Sequence, residues 1–134
     1  MEVLSALLCD SAADYGGKLS VLGAFDSIFA RQFPAVHPHC SVAIRLLFRS
    51  GEEGHYRVDL CLIDPDGKPV LPTQHQPHFE FTLAPIPEEV FFLSRNLVIN
   101  LQGLPLPKPA LYSFDLAVND QLVARIPLQV VQRD

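Results

Sequence analysis

The sequence predicts an all-β fold: an antiparallel two-sheet β-sandwich of about seven to nine strands. Three observations carry this. Tyr112, Phe114, Leu116 and Val118 alternate with Ser113, Asp115, Ala117 and Asn119, and a period of two marks a strand with one face on a core and the other in water. Clusters of Gly, Pro, Asn and Asp recur between such runs at the spacing of sandwich strands. No stretch carries apolar residues at i, i+3, i+4 and i+7, which leaves little room for helix beyond a turn at Glu88 to Phe92.

In order along the chain, Val3 to Leu8 forms the first strand, and Asp14-Tyr15-Gly16-Gly17-Lys18 supplies the positive φ angles of a hairpin turn. Leu19 to Phe29 runs back as one strand. It is apolar on much of both faces, which predicts a central strand, and within it Gly23 is expected to permit close packing. The segment Phe33-Pro34-Ala35-Val36-His37-Pro38-His39 holds two prolines that cannot donate to a ladder, so it reads as a connection between sheets. Val42, Ile44, Leu46 and Phe48 define the next strand. Ser50 to Gly54 closes it, with Tyr56, Val58, Leu60 and Leu62 as its expected hairpin partner.

Asp64-Pro65-Asp66-Gly67 is a turn in which proline presets φ and Gly67 takes the left-handed position. Pro69 and Pro72 follow as a ragged edge, then Phe79, Phe81 and Leu83 as a fifth strand, then a proline-rich loop from Ala84 to Glu89. Leu97, Ile99 and Leu101 form the inward face of a sixth strand, which Gly103 to Pro109 is expected to break. The last two strands, near Tyr112 to Val118 and Leu122 to Val131, meet at Asn119-Asp120, both tolerant of positive φ. No repeat, low-complexity tract or linker divides the chain, which predicts a single domain over 1–134.

The chain is 49% apolar and 19% charged, enough apolar surface to offset the ordering entropy of a packed domain. Its net charge of −5, with scattered basic residues, would repel phosphate backbones, so no nucleic-acid partner is expected. Three cysteines, Cys9, Cys40 and Cys61, lie in apolar strand-like surroundings and read as free buried thiols of a reducing compartment. Glu2 sits where a signal peptide wants positive charge, and no apolar run approaches roughly 18 residues. The expectation is a cytoplasmic protein with no membrane partner.

Few residues carry chemistry. Leu106-Pro107-Lys108-Pro109-Ala110-Leu111-Tyr112 resembles the tyrosine corner of immunoglobulin-like sandwiches, with Ala110 where glycine is usual; the resemblance implies an immunoglobulin-like sandwich in which the tyrosine is a staple of its loop. His37, His39 and Cys40 form one cluster and His75 and His78 another. Imidazole and thiolate suit zinc, but four ligands would need the two clusters to meet across about 35 residues, with Cys40 pointing away from the histidines. Asp64 and Asp66, and separately Asp10, Asp14 and Asp26, lack an EF-hand loop for calcium. Asp26, within an apolar run, reads as a carboxylate that must find donors. Phe91, Phe92 and Leu93 are assigned to the core ahead of an exposed partner surface. No Gly-x-Ser-x-Gly elbow, cysteine-protease signature or phosphate loop occurs, so no catalytic residue, metal ligand or cofactor is assigned.

Leu8-Cys9-Asp10-Ser11-Ala12-Ala13, Lys18 to Asp26 and Asn100-Leu101-Gln102-Gly103-Leu104 resemble a family of short bacterial proteins of uncharacterised function, over most of the chain. The resemblance implies a free-standing cytosolic β-sandwich and brings no activity, cofactor or site residue. The functional expectation is a non-enzymatic binding or protein-interaction module. A homo-oligomeric subunit, joined through a sheet edge or the Phe91-Phe92 region, is the first alternative. A metal-binding protein or enzyme built on the histidine clusters is the second.

Overall fold

In a computed structural model, residues 1–72 and 75–134 are described. Nine strands follow in order: β1 (Glu2–Tyr15), β2 (Lys18–Ala24), β3 (Ser27–Ala30), β4 (Ala35–Arg49), β5 (Gly54–Ile63), β6 (His78–Leu83), β7 (Phe92–Leu106), β8 (Ala110–Val118) and β9 (Gln121–Gln132). There is no α-helix among the described residues, and no helix long and apolar enough to cross a membrane. The strands form a four-stranded sheet of order β2-β1-β4-β7 and a five-stranded sheet of order β3-β9-β8-β5-β6, the latter curled into a half-barrel.

The core lies between the sheets and follows the period of two. Val42, Ile44, Leu46 and Phe48 of β4, with Leu97, Ile99 and Leu101 of β7, meet Val58, Leu60 and Leu62 of β5 and Tyr112, Phe114, Leu116 and Val118 of β8 in one cluster. Phe48, Tyr56 and Phe81 pack their rings at one end, with centroids 4.9 to 6.0 Å apart. These distances fall in the range preferred by aromatic pairs.

Local turn chemistry acts as the sequence predicts. Gly16 and Gly17 both adopt positive φ, as do Asn119 and Asp120, so β1–β2 and β8–β9 are closed by type I′ turns. At Asp64 the carboxylate accepts from the amides of Asp66 and Lys68, each at 2.9 Å, and Gly67 takes φ 79°. Tyr112 is fully buried, and its hydroxyl donates to the Lys108 carbonyl at 2.7 Å, the tyrosine-corner bond.

Long-range pairing departs from expectation at six points. Leu19 to Phe29 is two strands: Gly23 takes φ 69° near the end of β2, and after Ala24 the chain passes to the other sheet as β3. Neither piece is central: both are edges. β3 runs parallel to β9, so the fold is not wholly antiparallel. Residues 35–39 are strand and not a connection; Pro38 falls between the paired His37 and His39, where a missing donor is tolerated. β7 likewise continues through Gly103 to Leu106 against β4. Finally, β4 and β5 are consecutive but lie in different sheets, so Ser50 to Gly54 is a crossing and not a hairpin.

A candidate interaction surface on the first hairpin

The β1–β2 hairpin is not a flat extension of its sheet. Arg45 alternates with Ile44 and Leu46, both wholly buried in the core, so its side chain leaves the opposite, outer face. There Arg45 Nη1 donates to the Gly17 carbonyl at 3.0 Å and to Asn96 Oδ1 at 2.7 Å, and Nη2 donates to Ser94 Oγ at 3.0 Å. Asn96 Nδ2 also donates to the Gly17 carbonyl, at 3.2 Å. The hairpin tip is therefore held over the outer face, and residues 10–24 form an arm folded across it. Cys9, Ser41 and Ala43, which point away from the core, are fully buried on this face. Their small side chains let the arm approach closely.

The arm leaves one edge open. In a type I′ hairpin the residues flanking the turn form a hydrogen-bonded pair, here Tyr15 and Lys18. Counting along the register, Ser20 and Leu22 turn their backbone groups toward β1, whereas Leu19 and Val21 turn theirs outward, where β2 has no neighbour. Leu22 is 70% exposed and Tyr15 69%. At the far end Gly23 faces Asp10 so closely that a Cβ there would lie 2.5 Å from the Asp10 carboxylate. Gly23 thus permits a close approach, but to the Asp10 side chain at a sheet edge and not within the central strand expected.

The other edges differ. β3 has four residues, β6 carries His78 and Glu80 behind Pro77, and β7 ends in Gly103 and Pro105 beside Arg95, Asn96 and Asn100. Charges, prolines and short length are the devices that keep an edge from pairing. Over Leu19 to Ala24 β2 has none of them.

Phe91 and Phe92 are not core residues: they are 91% and 50% exposed. Phe92 has the same parity on β7 as Asn96, so it emerges on the outer face where the arm tip is bound. Phe91 lies before the strand begins, parity turns the Phe92 ring outward, and only Leu93 of this run packs against the core. Asp26 is also exposed and not buried; Ser27 Oγ donates to its carboxylate at 2.7 Å.

The histidine clusters are spread out. His37 is half-buried, its ring 5.7 Å from that of Phe25; His39, His75 and His78 are exposed; Cys40 points into the core. Among the described residues no three His, Cys, Asp or Glu side chains converge. A crevice of about 290 Å³ beside β3 is lined by Asp10, Phe25, Ser27, Ile28, Phe29 and His37. Ser27 Oγ is occupied there by Asp26 and by Gln129 Nε2 at 2.7 Å, so its hydrogen bonds lead away from His37. All three cysteines are free; Cys9 and Cys40 are buried as expected, whereas Cys61 is only half-buried. Burial raises each thiol above its ordinary range, Cys40 to about 11, with further repulsion from Cys9 and Asp10. A raised thiol is a poor nucleophile.

Over this geometry a family pattern can be laid along almost the whole chain. The protein belongs to a family of unknown function (DUF6941), matched over residues 4–131. The match takes in the arm, both sheets and the tyrosine corner, so these are parts of one family unit. No curated protein matches the chain. The sequence resemblance that pointed to an uncharacterised family is thus met at the level of family. Sequence reasoning missed the open edge because apolar residues on both faces of Leu19 to Ala24 read equally as a strand covered on both sides.

Proposed function

We propose that this protein is a non-enzymatic protein-interaction module that docks its partner at the open edge of β2. One observation carries this reading: β2 presents the backbone groups of Leu19 and Val21 to solvent with no charge, proline or covering segment over Leu19 to Ala24. An exposed apolar edge of this kind is a template for a further strand, with main-chain hydrogen bonds supplying affinity and alternate side chains specificity. Tyr15 and Leu22 add exposed apolar area on the arm and Phe92 on the same outer face, and aromatic side chains are enriched at interface cores.

The reading extends to an immunoglobulin-like sandwich. Support comes from the Tyr112 corner and from the segregation of β1, β4 and β7 from β5, β8 and β9, which parallels the two-sheet division of immunoglobulin domains. The free thiols of Cys9, Cys40 and Cys61 support a place in the reducing cytoplasm.

The test is a photo-reactive residue placed at Leu22 and, as control, at Leu122, which is 48% exposed on the opposite sheet. In living cells cross-linked adducts are expected from position 22 and not from 122. They should vanish when Val21→Pro is added, since that amide points outward and its loss spares the β1 ladder. Equal or absent adducts at both positions would refute the proposal.

A further inference from the structure

We infer that the occupant of the β2 edge is a second copy of this chain, paired antiparallel β2 to β2 about a twofold axis at Val21. This rests on the interaction-module reading and names its partner. The order across the joined arms is then β1-β2-β2-β1, a continuous four-stranded ribbon.

Self-complementarity is the first argument. With Val21 opposite its own copy, each Val21 amide donates to the other Val21 carbonyl, and Leu19 falls opposite Gly23, which has no side chain to obstruct it. An interface through a twofold axis must match a patch to itself in this way. In the same register Ser20 faces Leu22 on each side of the axis, which brings the two exposed Leu22 side chains to a diagonal separation of about 7–8 Å, within reach of each other.

Charge is the second argument, and it selects the direction. The edge is uncharged from Leu19 to Phe25, with Lys18 at one end and Asp10 and Asp26 at the other. None of the three takes part in an ion pair among the described residues. Antiparallel pairing about Val21 sets Lys18 opposite Ala24 of the second copy, two residues from Asp26 and beside the strand that carries Asp10. Each copy's basic end thereby meets the other's acidic end. Parallel pairing would juxtapose like ends, an arrangement that disfavours wrong partners and registers. A seven-residue edge buries less area than a standard stable interface, so the dimer is concentration-dependent and dissociates on dilution.

Sedimentation equilibrium of the full chain over the low-to-high micromolar range tests this. Wild type is expected to show a reversible monomer–dimer equilibrium that Val21→Pro abolishes. Lys18→Glu, and separately Asp10→Lys with Asp26→Lys, should each weaken association on the order of tenfold, and mixing the two variants should restore a heterodimer. A dimer that survives Val21→Pro would place self-association elsewhere and overturn the inference. Indifference to both charge variants would overturn the register. Wild type that stays monomeric throughout while the Leu22 cross-linker captures a different protein would sink the second-copy assignment yet leave the interaction module standing. Monomeric protein with no adduct would remove both.

Discussion

The arm depends on one cation, and Arg45→Met measures that dependence. Methionine keeps most of the apolar stem while removing the guanidinium that reaches the Gly17 carbonyl at 3.0 Å, Asn96 at 2.7 Å and Ser94 at 3.0 Å. A hydrogen bond to a charged group contributes about 1.5–3 kcal/mol when shielded. Here the Gly17 contact is exposed, water can replace it in the open state, and Asn96 retains its own bond to Gly17. The net cost of releasing the arm is therefore about 1–2 kcal/mol, which corresponds to roughly a 5–30-fold rise in the opened population. Native-state amide exchange resolves this, since local opening is read segment by segment. Amides of residues 11–24 should exchange faster by that factor while those of Ala110–Val118 keep wild-type rates. Cys9, buried beneath the arm, should become alkylated sooner, whereas Cys40 in the core should not. Unchanged exchange in the arm, or an equal loss of protection everywhere, would refute the view that Arg45 holds a separable arm.

Tyr112→Phe removes the hydroxyl that accepts from the Lys108 amide at 3.3 Å and donates to its carbonyl at 2.7 Å; chemical denaturation should show a loss of about 1–3 kcal/mol, and no loss would deny the corner its stapling role. Gly23→Ala combines a left-handed φ of 69° with a Cβ 2.5 Å from the Asp10 carboxylate. It should cost about 1–2 kcal/mol for the backbone alone, and Asp10→Ala in the same chain should recover the steric share in a double-mutant cycle. For Cys40, burial raises the folded pKa from 9.0 to about 11. The folded state then holds a proton that the unfolded state has lost, so stability is full below pH 9 and falls between about 9 and 11. Thermal melts across that window should flatten in Cys40→Val, and identical slopes would show that this thiol does not titrate with folding.

Much of the fold is legible in the sequence because its signals are local. Alternation identifies Val42 to Phe48 and Tyr112 to Val118 as half-buried strands, and their inward residues form the core. Gly16-Gly17, Asn119-Asp120 and Asp64 to Gly67 specify their turns through φ angles that few residues adopt, and Tyr112 finds its partner only four residues away. A period of two states which side chains share a face, and nothing about which strand lies alongside. Hence β4 and β5 read as a hairpin, Leu19 to Phe29 as one central strand, and Phe91-Phe92 as core. The parallel β3–β9 pair, the assignment of edges and the folding of residues 10–24 over the outer face depend on contacts distant in sequence. Arg45, 28 residues from Gly17, fixes the last of these. The sequence by itself determined the alternating strands such as Val42 to Phe48 and Tyr112 to Val118, with their faces and turns, because backbone sterics and side-chain alternation act within a few residues; strand at residues 35–39 and 103–106, where proline and glycine interrupt the pattern, it did not determine. Only the tertiary structure decided which edge stays open, and with it the candidate site, because an apolar strand is the same string whether a neighbour covers it or water does.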